Sequence, residues 1–366
     1  MTAVIFYNWS LLHCYIDIAM ELLFFRGINM ISYNKPFKTY PEQIDHLSNK
    51  YGLIINNRDF AEKALQVISY YDMINGYQEC MMINNRFIQG TTIEEIYMFY
   101  LFDKGFQDII FRQIMLIEGY FKTTIAYELG NNFGVHQDDY LNNTNFKPDH
   151  QKHLYFSTLK NTIANIYSTN TSNPIPQPTK HYVDNHNHIP PWILLKNVSF
   201  GQAINLFSLM KTNEKCNIAN NLISSNIAMK IKIELIINSL NILRKFRNQI
   251  AHNLKFVTYK VDKNQLYYSH LSKVVPRFML TYNDFYKKKM GGNDLYCVIN
   301  LILYFLSTKD SYLADSFCNN LLKHITPLSN HQNEQIKLEL FKSYSNITNL
   351  PNDLGNRILA FKKHLT

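Results

Sequence analysis

Cysteine is scarce and scattered in this chain. Its five residues, Cys14, Cys80, Cys216, Cys297 and Cys318, include no Cys-x-x-Cys pair. That spacing excludes a disulfide framework and a zinc ribbon, and points to free thiols in a reducing cytoplasm. Neither a G-x-x-x-x-G-K-[ST] loop nor a G-x-G-x-x-G turn occurs, which argues against a nucleotide-driven motor and a dehydrogenase. Long apolar runs are short in supply too. The stretch Leu295–Leu306 contains Asn300, is too brief to span a bilayer, and reads as a buried helix. Acidic residues are the minority charge: 28 against 37 basic ones, a formal net charge of +9 that favours an anionic partner. The basic residues form no arm. Runs such as Lys287–Lys289 and Lys362–Lys363 read as solvated faces, so the charge suits RNA binding without establishing it.

What is present is globular. Hydrophobic residues make up 46% of the chain and charged ones 18%, which rules out wholesale disorder. At 366 residues there is material for two or three packed units. The 25 tyrosines and 24 phenylalanines suit cores and interfaces, although tyrosine can also stack on nucleic-acid bases. The first 30 residues are apolar and aromatic, but they lack a basic start and carry Asp17 and Glu21. They read as an extra helix, or as an extension upstream of a start at Met30, rather than a signal peptide or membrane span.

Helical periodicity dominates. A helix is expected over 40–52, with Pro41 in its first turn and Gly52 at its end. Another should run from Asp59 to Tyr71 with Phe60, Ala64, Val67 and Ile68 on its apolar face, and a break should follow at Asn75-Gly76. Residues 92–130 suggest two long helices. Between 131 and 191 the composition shifts to Asn, His, Thr and Pro, which predicts a long loop or insertion. Helical pattern returns at Trp192–Met210 and Asn226–Asn253, a short hairpin is suggested around 256–268, and three or four helices should fill 282–366.

The residues with chemical promise close the 226–253 helix: Leu243-Arg-Lys-Phe-Arg247-Asn248-Gln-Ile-Ala-His252-Asn253. Ile236, Leu240, Leu243, Phe246 and Ile250 should face a core. Arg247 and His252, five residues apart, lie about 140° apart around the axis and can flank one groove. His252 falls at the negative end of the helix dipole, and a histidine there can serve in proton transfer. The same dipole attracts arginine and histidine to helix ends for structural reasons alone. Earlier in the chain, Glu118 and Lys122 form an i, i+4 pair, which by itself reads as an ordinary salt bridge. The set His181, Asp184, His186 and His188 has metal-like density but sits in the Asn/Pro-rich stretch, where a linker is the simpler reading.

Arg247-Asn248-x-x-Ala-His252 resembles the R-x4-6-H signature of the HEPN superfamily of helical ribonucleases, and Glu118-x-x-x-Lys122 resembles its E-x-x-x-K element. A wider series runs through Lys35-Pro-Phe-Lys-Thr-Tyr-Pro-Glu-Gln, Tyr70-Tyr-Asp-Met-Ile-Asn-Gly76-Tyr77, Phe87-x-x-Gly90-Thr-Thr, Tyr100-Leu-Phe-Asp103, Pro190-Pro-Trp192 and Ser199-Phe-Gly201. Over residues 34–255 it resembles the Abi-like family, the D/F type of bacterial abortive-infection proteins that act against bacteriophage. After the histidine the chain continues Asn253-Leu-Lys-Phe, without the second histidine and basic-aromatic run of many relatives.

The resemblance implies an all-α fold: an N-terminal extension (1–33), an N-terminal helical segment (34–90), a HEPN-like helical core (91–255) holding the 131–191 insertion, and a C-terminal helical extension (256–366). It implies a cytoplasmic antiphage endoribonuclease that needs no metal or cofactor. Arg247 would hold the phosphate, His252 would move protons, Asn248 would orient either, and Glu118 with Lys122 would support the neighbouring helix. A homodimer would combine two motifs, and a regulatory RNA or protein antitoxin would restrain the enzyme. The alternative is a non-catalytic HEPN-like dimer that binds RNA or a phage protein; no membrane role is implied.

Overall fold

The apolar residues of Ile93–Phe133 recur every three or four positions without a gap: Phe99, Phe102, Phe106, Ile110, Ile114, Ile117, Phe121, Ile125 and Leu129 are all buried. A stripe that long holds one continuous helix of 41 residues, not the two expected. Thr92 and Glu95 close a capping box at its start, and Gly134, in a positive-φ conformation, ends it with an N–H to the Gly130 carbonyl. Gly105 and Gly119 lie inside the helix at a cost of about 1 kcal/mol each relative to alanine, which burial of the stripe outweighs. At Gly105 the missing side chain is also useful: a Cβ there would stand 2.5 Å from Cε1 of His324.

The computed structural model describes residues 35–147, 157, 161, 177–255, 257–262, 265–326 and 332–365. The readings made for 1–33, for most of 148–176 and for Phe256 lie outside the described residues. The longer helices are α1 (Tyr40–Tyr51), α2 (Arg58–Val67), α3 (Ile93–Phe133), α4 (Pro191–Asn197), α5 (Phe200–Leu209), α6 (Thr212–Leu222), α7 (Met229–Ala251), α8 (Leu295–Ser307), α9 (Ser311–Ile325), α10 (Gln332–Thr348) and α11 (Leu354–Leu365). Among the described residues the fold is all-α apart from a small hairpin, Met82–Ile83 paired with Arg86–Phe87. No helix among these residues is long and apolar enough to cross a membrane.

Several local expectations need correction. α2 stops at Val67, whose side chain is 79% exposed; the buried face is Ala61, Ala64, Leu65 and Ile68. The chain turns extended at Ile68, and Ser69 accepts the N–H of Asp72 to start a π-helical turn over Tyr71–Asn75. No strand pairing forms among the described residues near 256–268. The hairpin lies instead at 82–87, where Asn84 and Asn85 both adopt positive φ, as a tight two-residue turn requires. Trp192–Met210 divides into α4 and α5 because Ser199 and Gln202 form a capping box that starts a new helix. The described parts of 131–191 are not simply loop. Thr179–Asn185 is helical, and buried Tyr140 donates its hydroxyl to the Ile189 carbonyl, which ties the two ends of the stretch together.

α3 packs against α4 through α10, so the C-terminal helices join the same hydrophobic cluster as the earlier ones, from Tyr77 to Phe361. A buried carboxylate marks the junction. Asp103 accepts hydrogen bonds from the Tyr77 hydroxyl (2.8 Å), the Tyr344 hydroxyl (2.7 Å) and the Gln107 amide (2.7 Å). α8 is buried from Leu295 to Leu306, as its sequence suggests.

His324 stacks on Phe102 and meets Phe106 edge-on, and burial pushes its imidazole down to about 4. As pH falls, the unfolded chain therefore takes up this proton before the folded one. The stability due to a neutral His324 is complete above about pH 6.5 and is lost toward pH 4. Asp103, pushed up by burial, gives a slope of the opposite sense, so comparison of two proteins isolates the histidine. The stability deficit of His324→Gln in urea is expected to shrink by up to about 2 kcal/mol between pH 7 and pH 5. A deficit that does not change with pH would remove His324 from the account.

Candidate active site

α7 is held by Leu235, Ile236, Leu240, Leu243 and Phe246, all buried, with Ile250 half-buried at its end. His252 is its C-cap. Asn253 follows with a φ of 57° and donates to the Ile250 carbonyl, while Leu254 donates to the Gln249 carbonyl at 2.9 Å. This is the left-handed double bond that ends many helices, with asparagine in the place usually taken by glycine. From α3, Lys104 donates to the Asn253 carbonyl at 3.2 Å and fixes this end of α7 against the long helix.

One turn earlier, α7 crosses the middle of α3. Glu118 of α3 is buried and carries two cations. Its Oε1 pairs with the Lys122 ammonium at 2.6 Å, and its Oε2 faces Nε of Arg247 at 3.9 Å. The second distance exceeds a hydrogen bond, and both of those atoms are buried without a hydrogen-bond partner among the described residues. The Arg247 side chain is about a third exposed, and its Nη1 donates to Oδ1 of Asn248 at 3.3 Å. The helix therefore presents a guanidinium backed by a carboxylate, with an amide beside it.

Four of the five residues singled out from the sequence thus meet: Glu118, Lys122, Arg247 and Asn248. His252 is one turn beyond Asn248, at i+4, so the two share a side of the helix. Its ring is exposed and makes no hydrogen bond to the other four. Glu118–Lys122 is not the surface salt bridge that its spacing alone suggests, since the side chains are only 6% and 16% exposed.

Two residues were missed. Lys104 carries no sequence signal, because its partner is 149 positions away. Arg244 lies one turn before Arg247, and that i, i+3 spacing was available to find it. Its side chain passes 3.4 Å from where a Cβ on Gly201 would stand, which gives the glycine of Ser199-Phe-Gly201 a reason to be small. Among the described residues no group of three or more His, Cys, Asp or Glu could hold a metal ion. His181 and His186 make an edge-on ring contact at 5.6 Å, and Asp184 is taken by Lys180.

Residues 63–257 match the family described as Abi-like protein, a match over more than half of the chain. The chain belongs to the Abi-like family. It matches no curated protein and no solved structure. In this Abi-like protein the matched region takes in α3 through α7, and so contains every candidate site residue; α8–α11 lie beyond it.

The cluster carries a stability prediction. Removing Glu118 leaves the positive charges of Lys122 and Arg247 together in a mostly buried place, so Glu118→Ala should cost about 3 kcal/mol. Lys122→Ala should cost less, since Glu118 keeps Arg247. Urea denaturation of both variants checks the order, and equal or reversed costs would mean that Glu118 is not the shared anchor.

Proposed function

We propose that this Abi-like protein is an abortive-infection endoribonuclease of HEPN type, which cuts RNA by internal attack of a ribose 2′-oxygen. The observation that carries this reading is the backing of Arg247 by Glu118, on the helix that ends in an exposed His252. A phosphodiester entering beside α7 would meet a guanidinium already oriented, with its exposed part free to donate to the non-bridging oxygens. Charge developing on those oxygens in the transition state is stabilised by a group that needs no reorganisation. His252 takes the proton from the 2′-hydroxyl, or gives one to the departing 5′-oxygen. The bond from phosphorus to the 5′-oxygen breaks as the bond to the 2′-oxygen forms, leaving a 2′,3′-cyclic phosphate and a 5′-hydroxyl. Asn248, bonded to Arg247 and one turn from His252, keeps the two in register.

A single histidine cannot serve as base and acid at once. A homodimer that brings two Arg247–His252 motifs together supplies the second group, and a bound RNA or protein antitoxin would hold such an enzyme in check. No metal or cofactor is required by this chemistry. One observation favours the non-catalytic reading, an RNA- or phage-protein-binding dimer: the His252 ring is held by no hydrogen bond to the rest of the cluster.

Wild-type protein incubated with bacterial RNA in excess EDTA is expected to yield fragments with 2′,3′-cyclic phosphate ends. Arg247→Ala and His252→Ala should each cut at least about 100-fold more slowly. Equal cleavage by all three proteins would contradict the assignment. RNA binding without cleavage in any of them would favour the binding module.

A further inference from the structure

A cleft of about 530 Å³ opens at the end of α7, directly beyond His252. One wall is the π-helical turn Tyr71–Asn75, and the other is built from Gln249, Asn253–Lys255, Thr258–Lys260 and Asp262. The volume falls in the range of small-molecule sites, and π turns of this kind recur at functional positions. The turn is shaped by Gly76, where a Cβ would stand 2.1 Å from the Asp72 carbonyl oxygen. Tyr71, the first residue of the turn, lines the cleft and is 68% exposed.

The lining combines three chemistries. Tyr71, Tyr100 and Tyr259 offer aromatic rings, Lys104, Lys255 and Lys260 offer cations, and Asn75, Gln249 and Asn253 offer amides. Asp72 and Asp262 also border it, and Lys255 is paired with Glu79, so attraction for a phosphate falls mainly to Lys104 and Lys260. Lys104 is half-buried, and two of its three N–H donors go to Gln107 and to the carbonyl of Asn253. Rings, cations and amides in one cleft match the parts of a nucleotide: a base face, a phosphate, and base-edge donors and acceptors.

The geometry points to this cleft as the seat of the nucleotide that adjoins the cut phosphate in a single-stranded RNA. Its base stacks on Tyr71, and its phosphate meets Lys260 and Lys104. The assignment rests on the ribonuclease reading for its orientation, because Asn253 borders the cleft and is covalently next to His252.

The test uses the full-length His252→Ala protein and a fluorescein-labelled single-stranded RNA octamer, with binding followed by polarisation and strand integrity by gel. Tyr71→Ala is expected to weaken binding on the order of tenfold, while Tyr71→Phe, which keeps the ring, retains it. Lys260→Ala is expected to weaken binding severalfold and to flatten its salt dependence. Tyr312→Ala, at an exposed tyrosine outside the cleft, serves as a control and should bind normally. Unchanged affinity in Tyr71→Ala and Lys260→Ala, or no binding of the octamer, overturns the proposal. Competition by free AMP at the octamer's own concentration also overturns it, in favour of a free-nucleotide site. Cleavage by wild type is scored separately: cleavage with unaltered binding in the cleft variants refutes the cleft alone, and cleft-dependent binding without cleavage refutes the nuclease alone.

Discussion

A helix of 41 residues extends about 60 Å, and nothing in its local sequence preference would hold three glycines, Gly105, Gly119 and Gly130, in line over that length. α3 survives because it is surrounded. Its apolar stripe is covered in turn by α4, α5, α6 and α7 and by the C-terminal helices, so an interruption would expose part of several interfaces at once. Burial on many sides also forces its polar residues to be used. Asp103 gathers Tyr77 and Tyr344 from opposite ends of the chain, and Glu118 gathers Lys122 and Arg247. The long helix is thus both the spine of the fold and the plate on which α7 is aligned.

The candidate site follows from that alignment. α7 is a well-packed amphipathic helix, yet packing alone would leave the direction of Arg247 open. Glu118 supplies the direction, from a buried position that can be reached only at the crossing. Lys104 does the same for the end of the helix by holding the Asn253 carbonyl. Arg247 and the end of α7 that carries His252 are therefore placed by α3 at two points about four turns of that helix apart, Glu118 and Lys104, with Asn248 between them on α7.

Much of this was legible in the sequence because it depends on short-range chemistry. Pro41 and Gly52 bracket α1, the stripe from Ile236 to Phe246 defines α7, and the apolar run Leu295–Leu306, broken only by Asn300, defines α8. Glu118 and Lys122 declare themselves by spacing. The errors share a cause as well. Val67 fits a helical pattern, but the helix ends there because Ile68 turns extended and enters the core. The residues 82–87 were too few to signal strands, and only the Asn84-Asn85 turn reveals them. Contacts between distant positions, such as Lys104 with Asn253 or Glu118 with Arg247, leave no periodic trace. The family likeness implied only that Glu118 and Lys122 support the neighbouring helix; the meeting of Glu118 with Arg247, and the parts of Lys104 and Arg244, were found only in the folded chain.

The central claim is that Arg247 and His252 act together on one phosphodiester. Single-turnover cleavage by Arg247→Ala, His252→Ala and the double variant tests this directly. If the two side chains form one catalytic unit, the double variant should be no slower than the slower single variant. Losses that multiply, or a single variant that cleaves at the wild-type rate, would contradict the account.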